Sequence, residues 1–222
     1  MSKNVVITGA NRGIGLALSK RYLALGYNVF SVCRNTSSEL MALKGIKVLS
    51  GIDVTNVEDL KLFHEQLSHL RIDLLVSNAG IMSEEFLGDV DYDRVLRQFQ
   101  VNAIAPLRVT ESLLSNLKQG AKIVFISSRM GSLSDNNSGG SYGYRMSKAA
   151  LNAAGVSLAM DLKSRGVAVG LLHPGFVKTE LVDYKGNMSA NEAANLIIQR
   201  IYELNMDNTG TFWHANGDIL AF

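Results

Sequence analysis

Two hydrophobic rhythms alternate along the chain. Short, continuous apolar runs rich in β-branched residues occupy 4–9 ("NVVITG"), 27–34, 46–51, 72–80, 121–128 and 167–175. A run of that length without polar alternation suits a strand covered on both faces, because each face then meets another apolar layer. Longer amphipathic stretches lie between them, and their spacing predicts helices over 14–25, 57–70, 92–117, 144–165 and 190–204. The closing stretch "TGTFWHANGDILAF" predicts a last edge strand. Strands alternating with helices through right-handed crossovers give an α/β fold: a doubly wound parallel sheet of about seven strands with helices on both faces.

No internal repeat or low-complexity linker interrupts the pattern, and the length fits a single domain spanning 1–222 with its ligand cleft built in. The chain is 47% hydrophobic and 19% charged, enough apolar content to offset the entropy of ordering it. A formal net charge of +2 is too mild to suggest a nucleic-acid or membrane partner; a small anionic ligand suffices. Cys33 is the only cysteine, so no internal disulfide can form, a reducing compartment is expected, and Cys33 reads as a small buried residue. Helix-length apolar runs are missing, and the N-terminus meets Gly, Asn and Arg before a signal-peptide core could develop, so the expected location is cytoplasmic. His64, His69, His173 and His214 lack the spacing and cysteine partners of a metal site, and no metal is expected.

Candidate chemistry gathers at two places. "TGANRGIG" at 8–15 follows the first strand and opens the first helix. Gly9, Gly13 and Gly15 allow a tight turn and a close approach to a pyrophosphate, whose charge meets the N–H groups and positive end of the helix. Asn11, Arg12 and Ile14 complete that loop. A carboxylate about 20 residues further on would bind the free 2′-hydroxyl of NAD, whereas an arginine neutralises the 2′-phosphate of NADP. The second strand ends at Arg34 with no acid in "VCRN", and Arg12 adds a second cation. The expected cofactor is therefore NADP(H), with NAD(H) the alternative, while the glycines alone also fit an adenylate or a flavin. Further on, "YRMSK" sets Tyr144 and Lys148 four residues apart, on one face of a helix, so both side chains can enter one cleft. The turn-rich loop at 132–143 leads into this pair at the carboxyl edge of the sheet, where open α/β sheets bind ligands.

With these pieces in order, the chain resembles the short-chain dehydrogenase/reductase family over essentially 4–222, and most of all its branch of C-factor-like proteins and small carbonyl reductases. The motifs that carry the resemblance are the glycine loop, Asp53 with Val54, "SNAG" at 77–80, Asn102 in "VNAIAP", Ser128 in "ISSRMG", Tyr144 with Lys148, and "PGFVKT" at 174–179. The resemblance implies a Rossmann-type domain and an NADP-dependent oxidoreductase that reduces a small ketone or aldehyde. It implies Tyr144 as the general acid, Lys148 also holding the nicotinamide ribose, Ser128 bonding the substrate oxygen, and Asn102 supporting a water that replaces the proton. It sets Asp53 and Val54 against the adenine and Asn78, Ala79 and Gly80 along the ribose side. Pro174, Gly175, Val177 and Thr179 go toward the nicotinamide amide and phosphates. A free phenol has a pKa of about 10, and the nearby ammonium of Lys148 is expected to lower it.

The chain also departs from the family pattern. Ser77 stands where asparagine is usual, and the gap between Ser128 and Tyr144 is longer, with "DNNSGG" as the added loop. Only "LVDYKGNM" at 181–188 occupies the place of a long substrate lid, which implies an open cleft with loose selection. Two other functions fit the same fold. One is a dinucleotide-binding regulatory protein of C-factor type with little turnover. The other is a reductase of carbon–carbon double bonds, for which Tyr142 is a weaker match than Tyr144. The resemblance further implies a homodimer or homotetramer built on the two long helices.

Overall fold

In the computed structural model, which describes residues 2–222, Val5 and Ile7 enter one apolar core and Val6 the other, and all three are fully buried. That alternation is what a strand covered on both faces produces. The strands are β1 (Asn4–Thr8), β2 (Asn28–Cys33), β3 (Lys47–Ser50), β4 (Ile72–Ser77), β5 (Leu117–Ile126), β6 (Ala168–His173) and β7 (Phe212–His214). They form one sheet in the order β3-β2-β1-β4-β5-β6-β7, with every neighbouring pair parallel. One face is covered by α1 (Gly13–Ala24) and α7 (Ala190–Glu203), through Leu18, Tyr22, Ile197 and Ile201. The other is covered by α3 (Val57–Leu67), α5 (Ala105–Ser112) and α6 (Tyr142–Asp161), through Phe63, Val109 and Leu151. The chain winds one way from β1 to β3 and the other way from β4, so a crevice opens at the carboxyl ends of β1 and β4.

The long helix expected over 92–117 is in fact three pieces. After α2 (Ser38–Met41) in chain order, α4 (Tyr92–Phe99) runs into a π-helical turn, Gln100–Ile104, before α5 begins. Such turns insert an extra residue into the helical ladder and occur mostly where a side chain must be aimed. Here the turn buries Asn102 completely. Its Oδ1 accepts from the Ile81 N–H at 2.9 Å and its Nδ2 donates to the Ile81 carbonyl at 2.8 Å. Leu117 is not helical but opens β5, ahead of the expected start at Ala121. Helix α5 ends at Ser112, and in the turn that follows Asn116 Nδ2 donates to the carbonyls of Leu67, Ser68 and Leu70 at 2.9, 3.3 and 2.8 Å. A register irregularity follows, Ile72 pairing with Leu117 but Leu74 with Lys122.

Smaller differences have local causes. Helix α2 is too short to show a periodicity, and Ser37 caps it by accepting from the Leu40 N–H at 3.2 Å. Helix α6 starts at Tyr142 and gives way after Asp161 to a 3₁₀ turn, Lys163–Arg165, closed by Gly166 at φ +64°. Leu151 and Val156 face the sheet. Among the described residues, no helix is long and apolar enough to cross a membrane. Asn116→Ala would leave three backbone carbonyls without their donor, and we expect a loss of about 1–3 kcal/mol of stability. Urea unfolding of the two proteins checks this; equal midpoints and slopes would contradict it.

Candidate active site

The glycine loop is a crossing of two backbones. A Cβ on Gly9, at φ +64°, would lie 2.8 Å from the Cα of Ala79, and one on Gly15 would lie 2.6 Å from Asn78 Nδ2. Only glycine lets the ends of β1 and β4 meet so closely. Thr8 and Asn78 lock the crossing. Thr8 Oγ1 accepts from the N–H groups of Asn78 and Ala79 at 3.0 and 3.2 Å, while Asn78 Nδ2 donates to the carbonyls of Thr8 and Gly9 at 3.0 and 3.1 Å. Helix α1 begins at Gly13 with no side-chain cap and no acid in its first turn. Its free N–H groups and positive end are thus left for an anion.

A cleft of about 560 Å³ runs along this crossing, lined by Gly9, Asn11, Arg12, Gly13, Ile14, Arg34, Asp53, Val54, Asn78, Ala79, Gly80 and Thr179. Its shape and its uncapped helix end fit a dinucleotide. At one end the Asp53 carboxylate stands between Arg34 and Arg97, at 3.7 and 3.4 Å, and accepts from the Thr55 N–H and hydroxyl. Partial burial pushes its carboxyl up, but the Thr55 hydrogen bonds and the two guanidiniums outweigh that and hold it below the usual carboxylate range. Across the cleft mouth Arg12 Nε meets Glu180 Oε2 at 3.2 Å; both side chains are mostly exposed, so the tie is weak.

Gly80 joins the cleft to the chemical groups. A Cβ there would lie 3.3 Å from Asn102 Oδ1 and 3.8 Å from Lys148 Nζ. Tyr144 and Lys148 are one helical turn apart on α6, only 7% and 5% exposed, with Nζ 5.7 Å from the centre of the phenol ring. Lys148 Nζ donates to the Ile126 carbonyl at 2.8 Å. Ser128, just past the end of β5, lies near enough to the phenol to favour its ionised form, and its Oγ accepts from the Met130 N–H at 3.2 Å. Ser127 turns instead to Asn152 Oδ1, at 2.6 Å. Asn102 Nδ2 donates to Ser147 Oγ at 3.0 Å, and that hydroxyl donates to the Tyr144 carbonyl at 2.8 Å. Asn102, Ser128, Tyr144 and Lys148 therefore meet in one buried corner.

Residues 3–190 match the family model described as short chain dehydrogenase. The chain belongs to the short-chain dehydrogenase family. It is 38% identical to a 1-hydroxy-2-glutathionyl-2-methyl-3-butene dehydrogenase of Rhodococcus sp. (strain AD45), across 98% of this chain and 99% of that protein. It is 42% identical to the C-signal protein of Myxococcus xanthus, across 66% of this chain and 90% of that one. The solved structure of an NADPH-bound carbonyl reductase from chicken fatty liver superposes with a TM-score of 0.89 at 28% identity, covering 100% of this chain and 99% of the other.

In this short-chain dehydrogenase, loss of water dominates the electrostatics of the pair. Burial pushes the Tyr144 phenol up to about 12, with the Ser128 hydrogen bond pulling it partly back. Burial also draws Lys148 down to about 8. The expected lowering of the phenol by the ammonium is thus reversed: Nζ is turned to the Ile126 carbonyl, and desolvation outweighs its charge at that range.

Other expected residues lie outside the cleft wall. Gly15 sits beneath the loop, Pro174, Gly175 and Val177 do not line the cleft, and Tyr144 and Lys148, also expected at the cofactor, lie behind Gly80 outside its wall. Val177 instead pairs with Met188, and the Lys178 N–H donates to the Met188 carbonyl at 2.8 Å, so the short segment after β6 closes on itself. Three contributors went unread in the sequence. Thr8 stood inside the quoted motif with no role; Ser37 donates to the Asn11 carbonyl at 2.6 Å and steadies the loop. Arg97 reaches Asp53 across 44 residues from a helix face that no motif marks. Among the described residues, no group of three His, Cys, Asp or Glu could hold a metal, and Cys33 is free and buried.

Lys148 titrates near 10.4 in an unfolded chain and near 8 in the fold. Between those values the unfolded chain binds more protons, so stability rises with pH across that window. Tyr144, raised to about 12, acts in the opposite sense only above about pH 10. We therefore expect the stability of the wild type relative to Lys148→Met to increase as pH rises from 8 to 10, because the variant lacks that rise. Urea unfolding at pH 7, 8.5 and 10 measures it, and parallel profiles would contradict a buried, charge-penalised lysine.

Proposed function

We propose that this chain is an NADPH-dependent oxidoreductase that reduces a ketone or aldehyde, with Tyr144 supplying the proton. The observation that carries this reading is the buried meeting of phenol, ammonium and hydroxyl just behind Gly80, which lines the cleft. The cleft residues fit NADP(H). The backbone of Gly9, Asn11, Gly13 and Ile14 would cradle the pyrophosphate, Arg12 and Arg34 the 2′-phosphate, and Asp53 with Val54 the adenine. Asn78, Ala79, Gly80 and, from behind Gly80, Lys148 would border the riboses, and Thr179 the nicotinamide side. When bound, the reduced nicotinamide supplies the hydride.

The chain's own work is proton handling and positioning. Ser128 and Tyr144 offer paired hydroxyl donors to a carbonyl oxygen on which charge develops. A phenol near 12 keeps its proton until that oxygen becomes basic, and a lysine near 8 is able to pass a proton onward near neutrality. Asn102 has its side chain committed to Ile81 and Ser147, so any support it gives a relay water falls to the main chain of the π-helical turn. The short, self-closed segment after β6 leaves the mouth open, which suits loose selection among carbonyl compounds, bulky ones included.

A regulatory role with little turnover is the second reading, favoured by the likeness to C-signal. Mixing the purified protein with NADPH and a panel of aromatic aldehydes and diketones separates the two. Oxidation of NADPH is expected; NADPH binding without turnover of any carbonyl would favour the regulatory role. Tyr144→Phe should lower kcat by about 10²–10⁴-fold while NADPH still binds, and unchanged turnover would remove Tyr144 as donor. Arg34→Ala should weaken NADPH by about tenfold or more while NADH changes little, since a lost charge-assisted contact is worth roughly 1.5–3 kcal/mol. Equal losses for both dinucleotides would rule out the 2′-phosphate contact.

A further inference from the structure

We infer that Glu85 is a positioning residue for Tyr144: its buried carboxylate seats the first turn of the helix that carries the phenol. The inference rests on the proposed role of Tyr144 as proton donor. Glu85 lies in the loop between β4 and α4 and is 1% exposed, although its neighbour Glu84 is exposed. No lysine or arginine pairs with it among the described residues. Instead its Oε1 accepts from Ser83 Oγ and Gln98 Nε2, each at 2.6 Å, and its Oε2 accepts from the Gly143 N–H at 3.0 Å. Its own carbonyl accepts from the Ser141 N–H at 2.9 Å.

These contacts supply what α6 lacks at its start. Ser141, the residue before the helix, is left-handed at φ 48° and makes no side-chain cap, and the first turn holds no acid. A helix end with free N–H groups and a positive dipole is stabilised by an acceptor carrying negative charge. Glu85 provides it from 58 residues away in sequence, at Gly143, the residue next to Tyr144. The site is built closely around that contact: a Cβ on Gly143 would lie 3.0 Å from the Cα of Val95 and closer still to the Gln98 amide. The other end of the same loop is also tied to Tyr144. Ile81 is held by Asn102, Asn102 by Ser147, and Ser147 by the Tyr144 carbonyl. Glu85 and Asn102 thus fix the backbone on both sides of the phenol, and a loss at either end lets the hydroxyl drift from its partner oxygen.

The test uses the full chain with NADPH and 4-nitrobenzaldehyde. Glu85→Gln presents a donor to the Gln98 amide, and we expect kcat to fall by about ten- to a hundredfold, the scale of an ångström of misplacement, with NADPH affinity unchanged. The exchanged pair Glu85→Gln with Gln98→Glu restores matched donors and acceptors and should recover most of the loss. On a Tyr144→Phe background, Glu85→Gln should lower the residual turnover no further, because no phenol remains to be aimed. Merely structural damage would act on both backgrounds alike. In the cofactor-free protein, the Gly143 amide should exchange hydrogen at least about tenfold faster in Glu85→Gln, as a lost partner of about 1.4 kcal/mol implies. Wild-type kcat in Glu85→Gln beside an inactive Tyr144→Phe would overturn this inference alone, as would equal losses on both backgrounds or unchanged exchange at Gly143. Full turnover in Tyr144→Phe would defeat the donor reading and the inference with it.

Discussion

Exclusion of water from one corner of α6 is the constraint on which the proposed chemistry depends. In water a phenol and an ammonium give up protons at nearly the same pH, about 10 and 10.4. In this corner burial drives them apart, the phenol to about 12 and the ammonium to about 8. Each shift disfavours the charged form, so a firmly protonated phenol stands beside a lysine that still carries its proton at neutral pH but gives it up about two pH units earlier than in water. A protonated phenol that resists ionisation is a donor in waiting, and a lysine near 8 sits where it can take or give a proton at modest driving force. The separation of the two values comes from dehydration, with Ser128 as the local correction.

The fold produces that dry corner by bringing backbones together where side chains would keep them apart. At the switch between β1 and β4, Gly9 and Ala79 touch, and Thr8 and Asn78 stitch the contact. One residue further, Gly80 brings the cleft wall up to Asn102 and Lys148. The π-helical turn then aims Asn102 at Ile81, and from there hydrogen bonds lead through Ser147 to the Tyr144 main chain. One continuous set of close approaches shapes the cleft and closes the corner behind it, so the cleft wall and the Tyr144 main chain are held by the same contacts.

Much of this was legible in the primary structure because local patterns determine it. Six apolar runs and the closing stretch placed the seven strands, and the spacing of Tyr144 and Lys148 put both on one helix face. What escaped depends on partners far away in sequence. Asn116 ties the turn after α5 to the carbonyls of Leu67 and Leu70 at the end of α3, and the π-helical turn lies where Asn102 meets Ile81, neither of which leaves a periodic trace. Arg97 and Glu85 look like ordinary surface charges in their own segments; only the fold sets one against Asp53 and buries the other under α6. The sign of the Tyr144 shift was misjudged for a related reason: spacing reveals that a lysine is near, but not that both groups are dehydrated.

Selective ¹³C labelling of the tyrosine ring, with Tyr144→Phe to assign the signal, would follow ionisation of this one phenol in the cofactor-free protein. A dehydrated pair requires the Tyr144 resonance to remain in its protonated position through pH 10 and to move only near 12. A signal that titrates at or below the ordinary phenol value of about 10 would mean that the lysine charge, and not the loss of water, governs the site.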